Sequence, residues 1–168
     1  KDYNQAGGHF NEFLAISIDQ NLARDSYLRL GDCFFALSSY FKAIPSYQKV
    51  IDANETDVDY AQLQIAFCHG YMGETEKKIN ALVNFTEVNL KSTLRDDAFY
   101  ELGNSYVKLS KNNEALSAYD EVVTNYRMSS LVSKSLLKQG LVYFNSDQND
   151  LALEKYKTVV SVYPGTDE

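Results

Sequence analysis

Tyr27-Leu28-Arg29-Leu30-Gly31 returns along the chain as Phe99-Tyr100-Glu101-Leu102-Gly103 and as Leu136-Leu137-Lys138-Gln139-Gly140. With each glycine counted as zero, the three copies continue in step. An aromatic stands at +3 (Phe34, Tyr106, Tyr143) and an alanine at +12 (Ala43, Ala115, Ala152). A tyrosine follows at +16 (Tyr47, Tyr119, Tyr156) and a valine at +19 (Val50, Val122, Val159). Coincidence at so many slots marks an internal repeat, and a period of this size marks a stack of supersecondary units.

A fourth copy fits between the first two. Its zero is Ala66, with Ile65 before it, Leu82 at +16 and Phe85 at +19. It departs at two slots, where His69 replaces the aromatic and Lys78 the alanine. The zeros then fall at 31, 66, 103 and 140, so the spacings are 35, 37 and 37. The chain also opens in mid-repeat: Ala6, Phe10 and Phe13 reproduce the alanine, tyrosine and valine slots. At the other end Tyr163-Pro164-Gly165 closes one repeat and Thr166-Asp167-Glu168 opens another. A fragment of a larger protein is the expectation.

The slots at −4, −1, 0 and +3 share one helical face, because residues three and four apart are neighbours. In the first copy that face carries Tyr27, Leu30, Gly31 and Phe34. A mid-helix glycine costs about 1 kcal/mol relative to alanine, which close approach of a second helix offsets. Polar clusters at Ser38-Ser39, Lys111-Asn112-Asn113 and Ser146-Asp147-Gln148-Asn149, together with Gly73, punctuate the pairs. The pattern predicts helices over 3–18, 23–37, 40–53, 58–72, 75–90, 95–109, 112–126, 131–145 and 149–162. Gly7-Gly8 should weaken the first helix. Lys78 must snorkel outward or loosen its repeat, making the second copy the distorted one.

Composition narrows the function. The 168 residues are 45% hydrophobic, ordinary for a globular chain, and carry a formal net charge of −7. That sign argues against nucleic acid as the partner, since affinity there comes from clustered Lys and Arg. No apolar run approaches the roughly 18 residues of a membrane span. Cys33 and Cys68 are the two cysteines and make no metal or redox motif. His9 and His69 have no second histidine at ligand spacing, and His69 reads as a core histidine bonded to backbone. Carboxylates are scattered over helix faces. No catalytic residue, metal ligand or cofactor site is expected.

The pattern resembles the tetratricopeptide repeat, whose signature is Trp-x-x-Leu-Gly-x-x-Tyr, then Ala-x-x-x-Phe, then Pro. The resemblance covers nearly the whole chain, although only Pro164 fills the closing proline slot; Glu55, Leu90 and Arg127 stand in the others. It implies an all-α, right-handed α-solenoid of about nine helices. Residues 1–22 would be the second helix of a truncated preceding repeat. Repeats would follow at 23–57, 58–94 (degenerate), 95–131 and 132–168. The long spacing resembles a subgroup found in bacterial envelope proteins, which implies a periplasmic or outer-membrane-associated location; the cysteines leave the compartment open.

In this family a second stripe on each first helix lines a peptide-binding concave surface. Its slots here are −6, −3, +1, +4 and +5. They hold Asp25, Leu28, Asp32, Phe35 and Ala36, then Tyr60, Leu63, Phe67, Gly70 and Tyr71. The third copy supplies Asp97, Tyr100, Asn104, Val107 and Lys108, and the fourth Lys134, Leu137, Leu141, Phe144 and Asn145. The stripe is apolar, which marks an interaction surface. The carboxylate clamp of the chaperone-binding relatives is not expected, because the −3 slot holds no lysine. The candidate contacts are Leu28, Phe35, Leu63, Phe67, Tyr71, Tyr100, Asn104, Leu141 and Phe144. Three readings stay open: an apolar partner segment, with basic flanks to match Asp25, Asp32 and Asp97; flanking repeats or a second copy of the chain; or burial by neighbouring first helices.

Overall fold

The computed structural model describes residues 2–17 and 19–163. Lys1, the proline slot at Pro164 and the expected opening at Thr166-Asp167-Glu168 lie outside the described residues. Among the described residues there are nine helices and no strand. They are α1 (Tyr3–Ile16), α2 (Gln20–Ala36), α3 (Tyr40–Ala53), α4 (Val58–Tyr71), α5 (Thr75–Val88), α6 (Arg95–Lys108), α7 (Asn112–Asn125), α8 (Leu131–Asn145) and α9 (Asn149–Val162). The chain forms two compact units, Lys1–Phe85 and Thr86–Glu168. In the first, α2 packs on α1 and α3, and α3 on α4; in the second, α6 pairs with α7 and α8 with α9. This is the all-α, helix-pair stacking that the repeat implies.

The α2 helix starts at Gln20, ahead of the expected residue 23, because Asp19 caps it. Its Oδ1 accepts from the N–H groups of Asn21 (2.9 Å) and Leu22 (3.1 Å), donors that would otherwise be orphaned at a helix start.

One turn recurs in all four copies. The residue at +7 is left-handed: Ser38 (φ 56°), Gly73 (φ 79°), Ser110 (φ 57°) and Asp147 (φ 58°). The following N–H then reaches the carbonyl at +3, Ser39 to Phe34 (2.8 Å), Glu74 to His69 (2.9 Å), Lys111 to Tyr106 (3.0 Å) and Gln148 to Tyr143 (2.9 Å). That bond is the Schellman closure of a helix C-terminus. The second copy keeps it even where its side chains depart from the pattern.

The zero-slot glycines have a specific use. A Cβ on Gly31 would lie 2.6 Å from Tyr47 Cε1, and one on Gly103 2.5 Å from Tyr119 Cε1. Gly140 faces the Tyr156 ring in the same way. What approaches closely is thus the tyrosine ring of the second helix. Tyr47 and Tyr119 are fully buried, as are Ala43 and Ala115 beside them. In the second copy the ring is replaced by buried Leu82, and Ala66 is accommodated.

Lys78 neither leaves the structure nor breaks it. Its stem lies over Gly70, where a Cβ would meet Lys78 Cδ at 2.7 Å, and its Nζ stands 5.7 Å from the Phe67 ring centroid. The snorkelling stem uses the space a glycine leaves and ends in a cation–π contact. Both α4 and α5 are continuous helices. His69 also departs from expectation: its Nδ1 meets the Glu74 carboxylate (2.6 Å) instead of backbone. Hydrogen bonds from Lys77 and His69 hold the Glu74 carboxyl below its ordinary range.

The α1 helix runs through Gly7-Gly8. Gly7 is buried against α2, its missing Cβ 3.7 Å from Cys33 Cβ and Leu30 Cδ1, whereas Gly8 faces open space. Ala6, Phe10 and Phe13 are half-buried. Cys33 and Cys68 are free, buried thiols, and burial pushes the Cys68 pKa up to about 12.

Candidate functional site

In the first unit the stripe turns largely inward. Leu28 is 6% exposed and Leu63 3%, so neither is available to a partner, which corrects their place among the contacts. Leu28 packs in one cluster with Tyr47 and Val50 of α3 and Ala61 and Cys68 of α4. Asp32 is engaged as well. Its Oδ1 accepts from the Tyr47 hydroxyl (2.9 Å) and the Tyr60 hydroxyl (3.0 Å). Burial, with Asp32 beside it, raises the Tyr60 pKa to about 12 and that of Tyr47 further. Asp25 lies 3.5 Å from Arg29 Nε. Phe35 contacts Tyr40 and Tyr71 edge-on, with centroids 5.4 and 5.5 Å away, while Tyr40 and Tyr71 stack at 5.0 Å. Tyr71 is exposed, and half-buried Phe67 lies under Lys78.

In the second unit the stripe lines a groove between α6 and α8. Two adjoining pockets share Lys138 and Leu141. One, about 400 Å³, is lined by Tyr100, Lys134, Leu137, Lys138 and Leu141. The other, about 330 Å³, is lined by Asn104, Val107, Lys108, Tyr119, Lys138, Leu141, Val142 and Asn145. Leu141 is 44% exposed and Val107 37%. Tyr100 is half-buried with its ring centroid 5.9 Å from that of Tyr119. Phe144 is exposed but lines neither pocket.

Asn104 is fixed from both ends. Its Oδ1 accepts from the Tyr119 hydroxyl (2.8 Å) and its Nδ2 donates to Glu101 Oε1 (3.1 Å). Burial raises the Tyr119 pKa, with Tyr100 and Glu101 adding to it, so the phenol remains a donor. Burial, with Asp96 and Glu101 adding, also raises the Asp97 pKa. The +1 slot therefore has two uses. Asp32 and Asn104 anchor the buried tyrosine, whereas Leu141 in the fourth copy accepts nothing and stands open in the groove.

Lys108, Lys138 and Asn145 were not among the expected contacts, yet they line the groove. The signal was available for α8, because Lys134, Lys138, Leu141 and Asn145 recur at helical spacing on one face. Among the described residues no cluster of three or more His, Cys, Asp or Glu could hold a metal ion. No described helix is long and apolar enough to cross a membrane.

A family model for the tetratricopeptide repeat matches residues 25–54, 97–127 and 134–166. The chain belongs to the tetratricopeptide repeat family. The matched segments hold the three glycine–tyrosine pairs, and the copy built on Ala66 and Lys78 falls in the unmatched stretch. Among solved structures, a crystal structure of MamA superposes with a TM-score of 0.78 at 21% identity, covering 95% of this chain and 87% of that one. A putative kinesin light chain from Podosopora anserina, with nearly identical TPR-like repeats, gives 0.76 at 14%, covering 99% and 89%. YrrB, a TPR protein with an unusual peptide-binding site, gives 0.72 at 15%, covering 98% and 79%. At these identities the likeness is one of fold. No curated protein matches the chain significantly.

Proposed function

We propose that this chain is a non-catalytic protein-interaction scaffold that holds a partner segment in the groove between α6 and α8. The observation that carries this is the exposure of Leu141 and Val107 beside half-buried Tyr100 and Leu137. Apolar side chains gathered along a groove, with an aromatic ring in its wall, have the composition of a binding surface. YrrB's peptide-binding site illustrates that the fold accommodates such a use. The acidic rim that suggested basic flanks on the partner is partly engaged internally, through Asp25 and Asp32, so the partner's charge follows from the groove instead.

The test is selection of displayed peptides on the 168-residue chain, followed by titration of the selected sequences. Tyr100→Ala should weaken binding by about 2 kcal/mol, the scale of an aromatic hot spot. Leu141→Ser should weaken it with helicity intact. Lys49→Gln and Glu121→Gln, on second helices, should change little. Equal binding by wild type and both groove variants would overturn the assignment. Concentration-dependent self-association abolished by Leu141→Ser would place a second copy in the groove and overturn the partner-segment reading.

A further inference from the structure

We propose that Asn54 is an acceptor for an N-linked oligosaccharide, presented on the exposed turn between α3 and α4. The site lies in the first unit and does not depend on the groove reading. Two Asn-x-Ser/Thr sequences occur in the chain, Asn54-Glu55-Thr56 and Asn84-Phe85-Thr86, and such a sequence takes a glycan where a surface loop carries it. The fold separates the two. Asn84-Phe85-Thr86 lies inside α5, with Phe85 fully buried and Thr86 9% exposed. Asn54, Glu55 and Thr56 are all exposed and follow the last residue of α3. Asn54 is left-handed (φ 51°), as is Asp57 (φ 63°), so the segment is a turn and not helix. The Asn54 backbone N–H donates to the Ile51 carbonyl (3.0 Å), and among the described residues its carboxamide makes no hydrogen bond.

A left-handed helix end explains the asparagine but not its neighbours. The same slot in the second copy is Asn89, and there the residue two further on is Lys91. In the first copy that residue is Thr56, and Asp52 stands two before the asparagine. Asp52-Ala53-Asn54-Glu55-Thr56 is thus the five-residue form that bacterial oligosaccharyltransferases require, with an acidic side chain before the asparagine and a hydroxyl after it. Leu82 holds the acidic position of the buried sequence. Thr56 Oγ1 donates to Asp57 Oδ2 (2.9 Å), Gln48 Nε2 donates to Asp52 Oδ1 (3.0 Å), and Arg24 pairs with Glu55. All three contacts lie at the exposed surface, where they are weak and readily exchanged for contacts to an enzyme. In the transfer, Asn54 Nδ2 bonds to the anomeric carbon of an oligosaccharide carried on a polyprenyl pyrophosphate. The bond from that carbon to the pyrophosphate oxygen breaks, and the polyprenyl pyrophosphate leaves with the electron pair. One amide proton passes to a carboxylate of the transferase.

The experiment incubates the folded 168-residue chain with a bacterial single-subunit oligosaccharyltransferase and a polyprenyl-pyrophosphate oligosaccharide, and reads the intact mass. The mass of one glycan should be added, mapping to the peptide that holds Asn54. Asn54→Gly, which keeps the left-handed turn, should abolish the shift. Thr56→Val and Asp52→Ala should abolish it as well, and Asn84→Gln should leave it unchanged. Circular dichroism should show the helices intact in all four variants, because each substituted side chain is exposed. A folded chain left unmodified, while the free peptide of residues 49–60 is glycosylated, would show that the fold withholds the turn and would overturn the proposal. Failure of both, with the transferase active on a standard acceptor peptide, overturns it too. So does a shift that survives Asn54→Gly or Asp52→Ala. A glycan found at Asn84 would overturn the selection by burial.

Discussion

The pair α6–α7 and the pair α8–α9 are built on the same glycine and the same tyrosine, yet they treat the next residue differently. In α6–α7 the Tyr119 ring is sealed over Gly103 and its hydroxyl is tied to Asn104. In α8–α9 the equivalent Tyr156 is half-buried, and Leu141 holds the slot where Asn104 stands. A repeat whose +1 residue anchors the tyrosine commits that residue to the fold. In the fourth copy the +1 residue, Leu141, is apolar and stands open in the groove.

The strongest way to break the comparison is to fill the glycine. Gly103→Ala pushes a methyl into a buried ring held at its hydroxyl, and overpacking of that kind costs about 1–3 kcal/mol. The upper half of that range is expected, because the ring has no room to retreat. Gly140→Ala should cost less than about 1 kcal/mol, since Tyr156 can tilt outward and alanine returns helix propensity. Urea unfolding of the two variants checks this. Equal losses would mean that burial of the ring is not what separates the pairs.

Removing the hydroxyl comes next in size. Tyr119→Phe should lose about 1 kcal/mol, the net worth of a neutral hydrogen bond. Tyr47→Phe should lose roughly 1.5–3 kcal/mol, because its acceptor is the Asp32 carboxylate. Tyr156→Phe should be neutral within about 0.5 kcal/mol, as for a surface change. A loss at Tyr156 equal to that at Tyr119 would show that the hydroxyl is bonded in solution and would remove the distinction.

The same bonds set a limit at high pH. The Tyr60 pKa is raised from 10.0 to about 12, by burial first and then by Asp32. The folded state thus holds its proton where the unfolded chain has released it. The contribution is fully present below pH 10 and is lost as pH rises toward 12. Thermal melting should show a decline beginning near pH 10, and Tyr60→Phe should flatten part of it. A flat profile across that window would contradict the buried phenol–carboxylate arrangement.

The helices and their pairing were legible in the sequence because apolar spacing and the glycine–alanine–tyrosine slots are properties of the chain itself. The groove was half legible. Tyr100, Asn104 and Leu141 share a stripe that periodicity defines, but periodicity does not say which neighbour covers it. Leu28 and Asp32 occupy the same slots in the first copy and are used internally, by the core around Tyr47 and by two hydroxyls. The Lys78–Gly70 contact was hidden for a similar reason. Each residue departs from the pattern on its own line, and their compensation exists only across the helix pair.

The smallest effect separates glycines that seat a ring from glycines that do not. Gly8 lies mid-helix in α1 with nothing within 4 Å of its missing Cβ, and it has no positive φ. Alanine there adds no contact and removes backbone freedom from the unfolded chain, worth about 0.4–1 kcal/mol. Gly8→Ala should therefore raise stability, where Gly103→Ala lowers it. Gly7→Ala should gain less, because its methyl enters ordinary contact at 3.7 Å with Cys33 and Leu30. Because α1 packs on α2, the gain should appear as slower amide exchange in both helices, with little change in α6 to α9. A loss of stability at Gly8 would place another group against that face of α1, and the opposite signs expected at residues 8 and 103 would no longer hold.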